Sequence, residues 1–111
     1  SWGIPFPIRG DGSDAVLPES APVLRQIASY LEANPAARLR IVGYTDNVGS
    51  AASNLDLSKR RAASVAAVLS QQFGIASSRF EAEGKGDAQP LAPNATPEGR
   101  AMNRRVEFDK L

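Results

Sequence analysis

YTDNVGSAASNLDLSKRRAASVAAVL, residues 44 to 69, decides the fold, because one periodicity gives way to another within it. Just before it, Leu39, Ile41 and Gly43 alternate with Arg40, Val42 and Tyr44, the period of two of a strand buried mainly on one face. Asp46 falls at the end of that strand. From about Asn54 the spacing becomes helical: Ala62, Val65, Val68 and Leu69 gather into one apolar stripe, with Lys59, Arg60, Ala63, Ala67 and Ser70 on the other side. Arg61 lies on the stripe and therefore points toward the sheet from an early turn, where a guanidinium needs a partner. A helix folded back on the preceding strand brings that turn to the strand's C-terminal end, where Asp46 stands. Two readings follow. Asp46 and Arg61 form an internal salt bridge that pins the loop, or they stand apart on a rigid frame as acceptor and donor for a zwitterion, such as the amino and carboxylate groups of an amino acid. The pattern alone leaves both open.

On the N-terminal side, Ile4, Phe6 and Ile8 alternate as in a strand, and Pro5 and Pro7 confine it to an edge. RGDGSD, residues 9 to 14, is turn material, whose Asp11 and Asp14 read first as solvated turn carboxylates and join the ligand site only if the loop folds toward Asp46. A helix is expected from near Ser20, with Pro22 in its first turn and Leu24, Ile27, Ala28 and Leu31 on one face, ending at Asn34-Pro35. The strand then runs from Arg38 to Thr45, followed by a small-residue loop from Asn47 to Ser53. Asn54 is placed either to cap the next helix or to offer its amide to a ligand. Gly74 stops that helix at about Phe73.

Further on, Phe80, Ala82 and Gly84 alternate with Arg79, Glu81 and Glu83, a strand with a charged outer face. The polar stretch from Lys85 to Asn94 is long for so small a domain and reads as a binding loop or an insertion. Thr96-Pro97 opens a short helix through Met102. A last strand carries Val106 and Phe108 inward, with Arg104 at its entrance. Strands separated by helices need crossover connections, which put both long helices on one face. The expected fold is an α/β two-layer sandwich, βαβαβ(α)β, with a mixed sheet and helices packed on one face.

The chain of 111 residues reads as one domain spanning 1–111. A net charge of +1 gives no overall field to draw nucleic acid, so charged recognition rests on local placement. No cysteine is present, which removes disulfides and thiolate metal sites. No apolar run approaches the roughly 20 residues of a membrane span, and the start lacks the pattern of a signal peptide. The chain opens abruptly at Ser1-Trp2 and is read as a fragment.

Gly43-Tyr44-Thr45-Asp46, Asn54-x-x-Leu57-Ser58-x-x-Arg61-Ala62 and Asn103-Arg104-Arg105-Val106-Glu107 occur in an order and spacing that resemble the C-terminal-like domain of outer-membrane protein A. That peptidoglycan-binding module is shared by Pal lipoproteins and flagellar MotB stators. The resemblance covers about residues 16 to 109, with the first fifteen matching loosely. It implies that Asp46 and Arg61 grip the diaminopimelate of the peptidoglycan stem peptide, Asp46 taking the ammonium and Arg61 the carboxylate. Arg104 is placed to help hold that carboxylate, against a plainer role as a surface arginine paired with Glu98 or another acid. Thr45 and Asn54 are expected to shape the pocket. Many members carry histidine where this chain has Tyr44. The implied partner is peptidoglycan and the implied place is the periplasm, with membrane attachment only through a tether outside this stretch. No cofactor is implied.

Rival functions fare worse. The chain has no His and no Cys, hence neither the commonest general base nor the strongest nucleophile, and no GxSxG, Walker or HExxH pattern. An RNA-binding sheet needs exposed aromatics at fixed strand positions, whereas the four Phe, two Tyr and one Trp here are scattered. The serious rival is a structural or oligomerisation domain in which Asp46 and Arg61 satisfy each other.

Overall fold

The structure, a computed structural model, describes residues 20–111. The expected edge strand at Ile4, Phe6 and Ile8, with Asp11 and Asp14, lies outside the described residues. Helix α1 runs Ala21–Ala33 with proline in its first turn, and Asn34 closes it by donating its backbone N–H and its side-chain amide to the Tyr30 carbonyl. Strand β1 is Leu39–Tyr44, helix α2 is Ala51–Phe73, strand β2 is Phe80–Gly84, helix α3 is Pro97–Asn103 and strand β3 is Arg105–Lys110. The sheet has the order β2-β1-β3, with β1 parallel to β2 and antiparallel to β3. The mixed sheet with helices on one face is the expected α/β architecture.

The core lies between that face and the two long helices. Leu24, Ile27, Ala28 and Leu31 of α1 meet Ala62, Val65 and Leu69 of α2, over Leu39 and Ile41 of β1 and Val106 and Phe108 of β3. An isolated helix of about a dozen residues is marginal in water, so α1 owes its stability to this packing. The register pairs Ile41 with Phe108 and Gly43 with Val106 on the helix side.

Three expectations are corrected. β1 is buried on both faces, since Val42 and Tyr44 are 1% and 4% exposed although they alternate with the core residues. The guanidinium of Arg105, opposite Tyr44 in the antiparallel register, lies 3.8 Å from the Tyr44 ring centroid and covers that side. Helix α2 begins at Ala51 rather than near Asn54: Ser50 is the N-cap, its hydroxyl accepting from the Ser53 N–H at 3.1 Å. Asn54 therefore caps nothing. Arg79 belongs to a short 3₁₀ turn, Ser77–Arg79, and its guanidinium donates to the carbonyls of Asn34 and Ala37.

Helix α2 crosses the ends of β1 and β2 at unusually close range. A Cβ on Gly43 would stand 2.2 Å from the Ser58 carbonyl oxygen, and one on Gly84 would stand 2.4 Å from the Lys59 nitrogen. Ser58, fully buried, sits at the crossing, its hydroxyl donating to the Leu55 carbonyl and accepting from the Gly86 N–H at 2.9 Å. Gly43→Ala is expected to destabilise the domain by about 1–3 kcal/mol, because the obstructing atom is backbone and no rotamer relieves it. A lowered urea midpoint with an unchanged slope is the expected reading. A midpoint equal to that of the parent protein would mean the helix lifts from the sheet at no cost.

Candidate functional site

At the C-terminal end of β1 the chain turns sharply through Asp46 and the following loop into α2. Asp46 shapes this turn itself: its Oδ1 accepts from the Val48 N–H at 3.1 Å, an Asx turn. Gly49 adopts φ +89°, a left-handed conformation that favours glycine. Asn54, from the first turns of α2, reaches back with its Nδ2 to the carbonyls of Asp46 at 3.3 Å and Val48 at 3.1 Å. Its donors are spent on the loop, so its role is to brace the turn that aims Asp46. The Thr45 hydroxyl donates to the Asp46 carbonyl at 2.7 Å, and the Thr45 N–H reaches the Gly86 carbonyl at 2.7 Å.

The second oxygen of Asp46 accepts from Nη1 of Arg104 at 2.8 Å, with the two side chains only 13% and 21% exposed. Arg104 is thus not a surface arginine paired with Glu98, and its partner is 58 residues away. Its Nε is buried without a hydrogen-bond partner. Arg61 is 3% exposed on the inward side of α2, as its place on the apolar stripe requires. Lys59 and Arg60 are exposed.

Thr45, Asp46, Asn54, Arg61 and Arg104 all line one cavity of about 490 Å³. Residues from three parts of the chain are brought together by the loop after β1, the first turns of α2 and the junction of α3 with β3. Sequence reasoning missed two further arginines on its wall, Arg60 and Arg100. Arg100 was discoverable: it precedes Arg104 by four residues, so a helix puts both on one face. Arg60 forms an exposed ion pair with Asp56 at 2.9 Å, one turn earlier.

Tyr44 does not face this cavity. It stands on the opposite side of β1, its hydroxyl 3.5 Å from Oε1 of Gln89. Burial, then the Glu107 carboxylate, push its phenol above the ordinary range, against the opposing pull of Arg105. Tyr44 therefore stays a neutral donor. The loop from Lys85 to Asn94 is held down rather than open. Fully buried Asn103 accepts from the N–H groups of Leu91 at 2.7 Å and Ala92 at 3.0 Å, and donates to the Ala92 carbonyl and the Asn94 side chain. Arg105 adds a hydrogen bond to the Gln89 carbonyl at 3.0 Å. Asn103 and Arg105 hold the loop while the residue between them reaches Asp46.

Such a frame, a mixed sheet backed by two helices with a charged cavity at the end of its central strand, defines the class of protein, and the sequence places it within a family. The chain belongs to the OmpA family, whose sequence model matches residues 10–104. It is 45% identical over 106 residues to the peptidoglycan-binding protein ArfA of Mycobacterium tuberculosis, covering 96% of this chain and 32% of ArfA. The chain thus spans about a third of that relative's length. Among solved structures it is similar to the peptidoglycan-associated lipoprotein of Burkholderia pseudomallei, at 30% identity and a TM-score of 0.89, covering 96% of this chain and 89% of that one. The C-terminal domain of Helicobacter pylori MotB superposes with a TM-score of 0.86 at 28% identity, covering 97% and 84%.

Proposed function

We propose that this domain is a non-catalytic peptidoglycan-binding module of the cell envelope, whose cavity takes the zwitterionic end of the diaminopimelate side chain in the stem peptide. The observation that carries the reading is the convergence of Asp46, Arg61 and Arg104 on one cavity. Asp46 accepts from the ammonium, Arg61 holds the carboxylate on the same carbon, and Arg104 bridges Asp46 and that carboxylate. Thr45 and Asn54 fix the loop that aims Asp46. The similarity to ArfA, a peptidoglycan-binding protein, and to the peptidoglycan-associated lipoprotein supports the ligand class. Similarity to outer membrane porin F and the outer-membrane lipoprotein YfiB of Pseudomonas aeruginosa supports a periplasmic position with attachment through another part of the parent protein. Charge-assisted bonds contribute roughly 1.5–3 kcal/mol each before desolvation and ordering costs, so one site binds weakly. Repeated stem peptides on the wall then supply avidity.

A second reading draws on the Asp46–Arg104 ion pair: the charges already satisfy each other, and the domain is structural. Sedimentation with purified cell-wall sacculi separates the two. The expected result is that the domain pellets with sacculi and that excess free diaminopimelate releases it. Pelleting that free diaminopimelate leaves untouched would remove the zwitterion site, and no pelleting would remove wall binding altogether.

A further inference from the structure

The cavity carries more positive charge than one zwitterion uses. Arg60, Arg61, Arg100 and Arg104 line it, against the single carboxylate of Asp46. Arg104 is paired with Asp46 and Arg60 with Asp56. Arg61 is assigned above to the carboxylate of the zwitterion. Arg100 is half-buried, and its Nη1 donates to the Asn94 carbonyl at 2.9 Å. Among the described residues no carboxylate pairs with it. A neutral carbonyl fixes the direction of a guanidinium without cancelling its charge, and the remaining donors of the five-donor fork stay available. Asn94 is itself held by Asn103, so the fork is aimed from a braced support.

We propose that Arg100 reads a second carboxylate of the ligand, one that the zwitterionic carbon does not carry. The domain then selects stem peptides in which a further free carboxylate lies beside the diaminopimelate side chain. This inference rests on the zwitterion reading and specifies it. Two groups on a stem peptide offer the chemistry: the terminal carboxylate of a peptide that ends at diaminopimelate, and the α-carboxylate of a neighbouring glutamyl residue.

Calorimetric titration of the domain with three synthetic peptides tests it: one with both carboxylates free, one amidated at the terminus and one amidated at the glutamyl position. One amide is expected to bind about tenfold more weakly than the free acid, the loss typical of a charge-assisted bond in a partly solvated site, and its identity names the source. Arg100→Gln is expected to bind the free acid more weakly by the same factor and to be indifferent to that amidation, while Arg100→Lys retains part of the preference. Equal binding of all three peptides by the parent protein overturns the inference, as does discrimination that survives in Arg100→Gln. The parent-protein comparison needs no variant to fold. If the parent protein binds none of the peptides, the zwitterion reading fails and carries this inference down with it. If it binds all three alike, only the role of Arg100 is lost.

Discussion

An Arg61→Ala variant is expected to lose sacculus binding by on the order of a hundredfold while circular dichroism shows the fold intact. Arg61 is 3% exposed yet lines the cavity, so its charge has been brought into a site where an absent ligand group is costly. The ligand-side counterpart has the same size. Diaminopimelate ends in a carbon bearing both an ammonium and a carboxylate, whereas lysine offers the ammonium alone. Free lysine brings no carboxylate to Arg61, so it should compete on the order of a hundredfold less well than free diaminopimelate. Arg61→Lys should recover only part of the binding, because an ammonium lacks the planar fork. Asp46→Asn should weaken binding about as much, and the double variant should add little, since groups that act on one ligand are not additive. Unfolding of Arg61→Ala would assign the residue to the fold instead, and equal inhibition by lysine and diaminopimelate would end its proposed role even if wall binding held.

The second large effect concerns Asn103, which does not itself line the cavity. Its side chain makes four hydrogen bonds to residues 91–94 from a fully buried position. Truncation by Asn103→Ala leaves those loop groups without partners. Each buried group left unsatisfied costs about 1–3 kcal/mol, and part of the loop can turn to water, so a net loss of about 3 kcal/mol is expected. Two measurements check it: a lowered urea midpoint, and new proteolytic cleavage between residues 85 and 94. Wall binding should weaken as well, because Arg104 is the next residue and Asn94 orients Arg100. An unchanged midpoint would mean that the loop's other contacts hold it without Asn103.

Local chemistry was the legible part of the sequence. Pro22 in the first turn of α1, the left-handed Gly74 after α2 and the Thr96-Pro97 start of α3 announce themselves because each effect acts within a few residues. The start of α2 was placed late, since Ala51-Ala52-Ser53 has no apolar period and Ser50 is one small polar residue among several. Burial of Val42 and Tyr44 was misread for a different reason. Alternation reports which side chains share a face, not what the rest of the chain lays over it, and the cover on Tyr44 comes from Arg105, far along the sequence. In the site, Arg61 was conspicuous as a charge on an apolar stripe. The partnership of Arg104 with Asp46 was not legible as such, because a single arginine before a strand carries no mark of where its side chain ends. Asn54 was legible by position: it lines the cavity, and instead of capping the helix its amide holds the loop's carbonyls.

The glycine crossing has a consequence for how the domain tolerates change. Where α2 meets the ends of β1 and β2, main chain touches main chain, with Ser58 and Lys59 against Gly43 and Gly84. Elsewhere the helix is kept off the sheet by side chains such as Val65 and Leu69, whose exchange for larger or smaller neighbours shifts a helix by fractions of an ångström. At the crossing only the short Ser58 hydroxyl and the root of Lys59 stand beside the backbone, so the gauge between the strand end that carries Asp46 and the helical turn that carries Arg61 is set by close backbone contact more than by core side chains. Core side chains can change in size while the spacing between Asp46 and Arg61 keeps its setting.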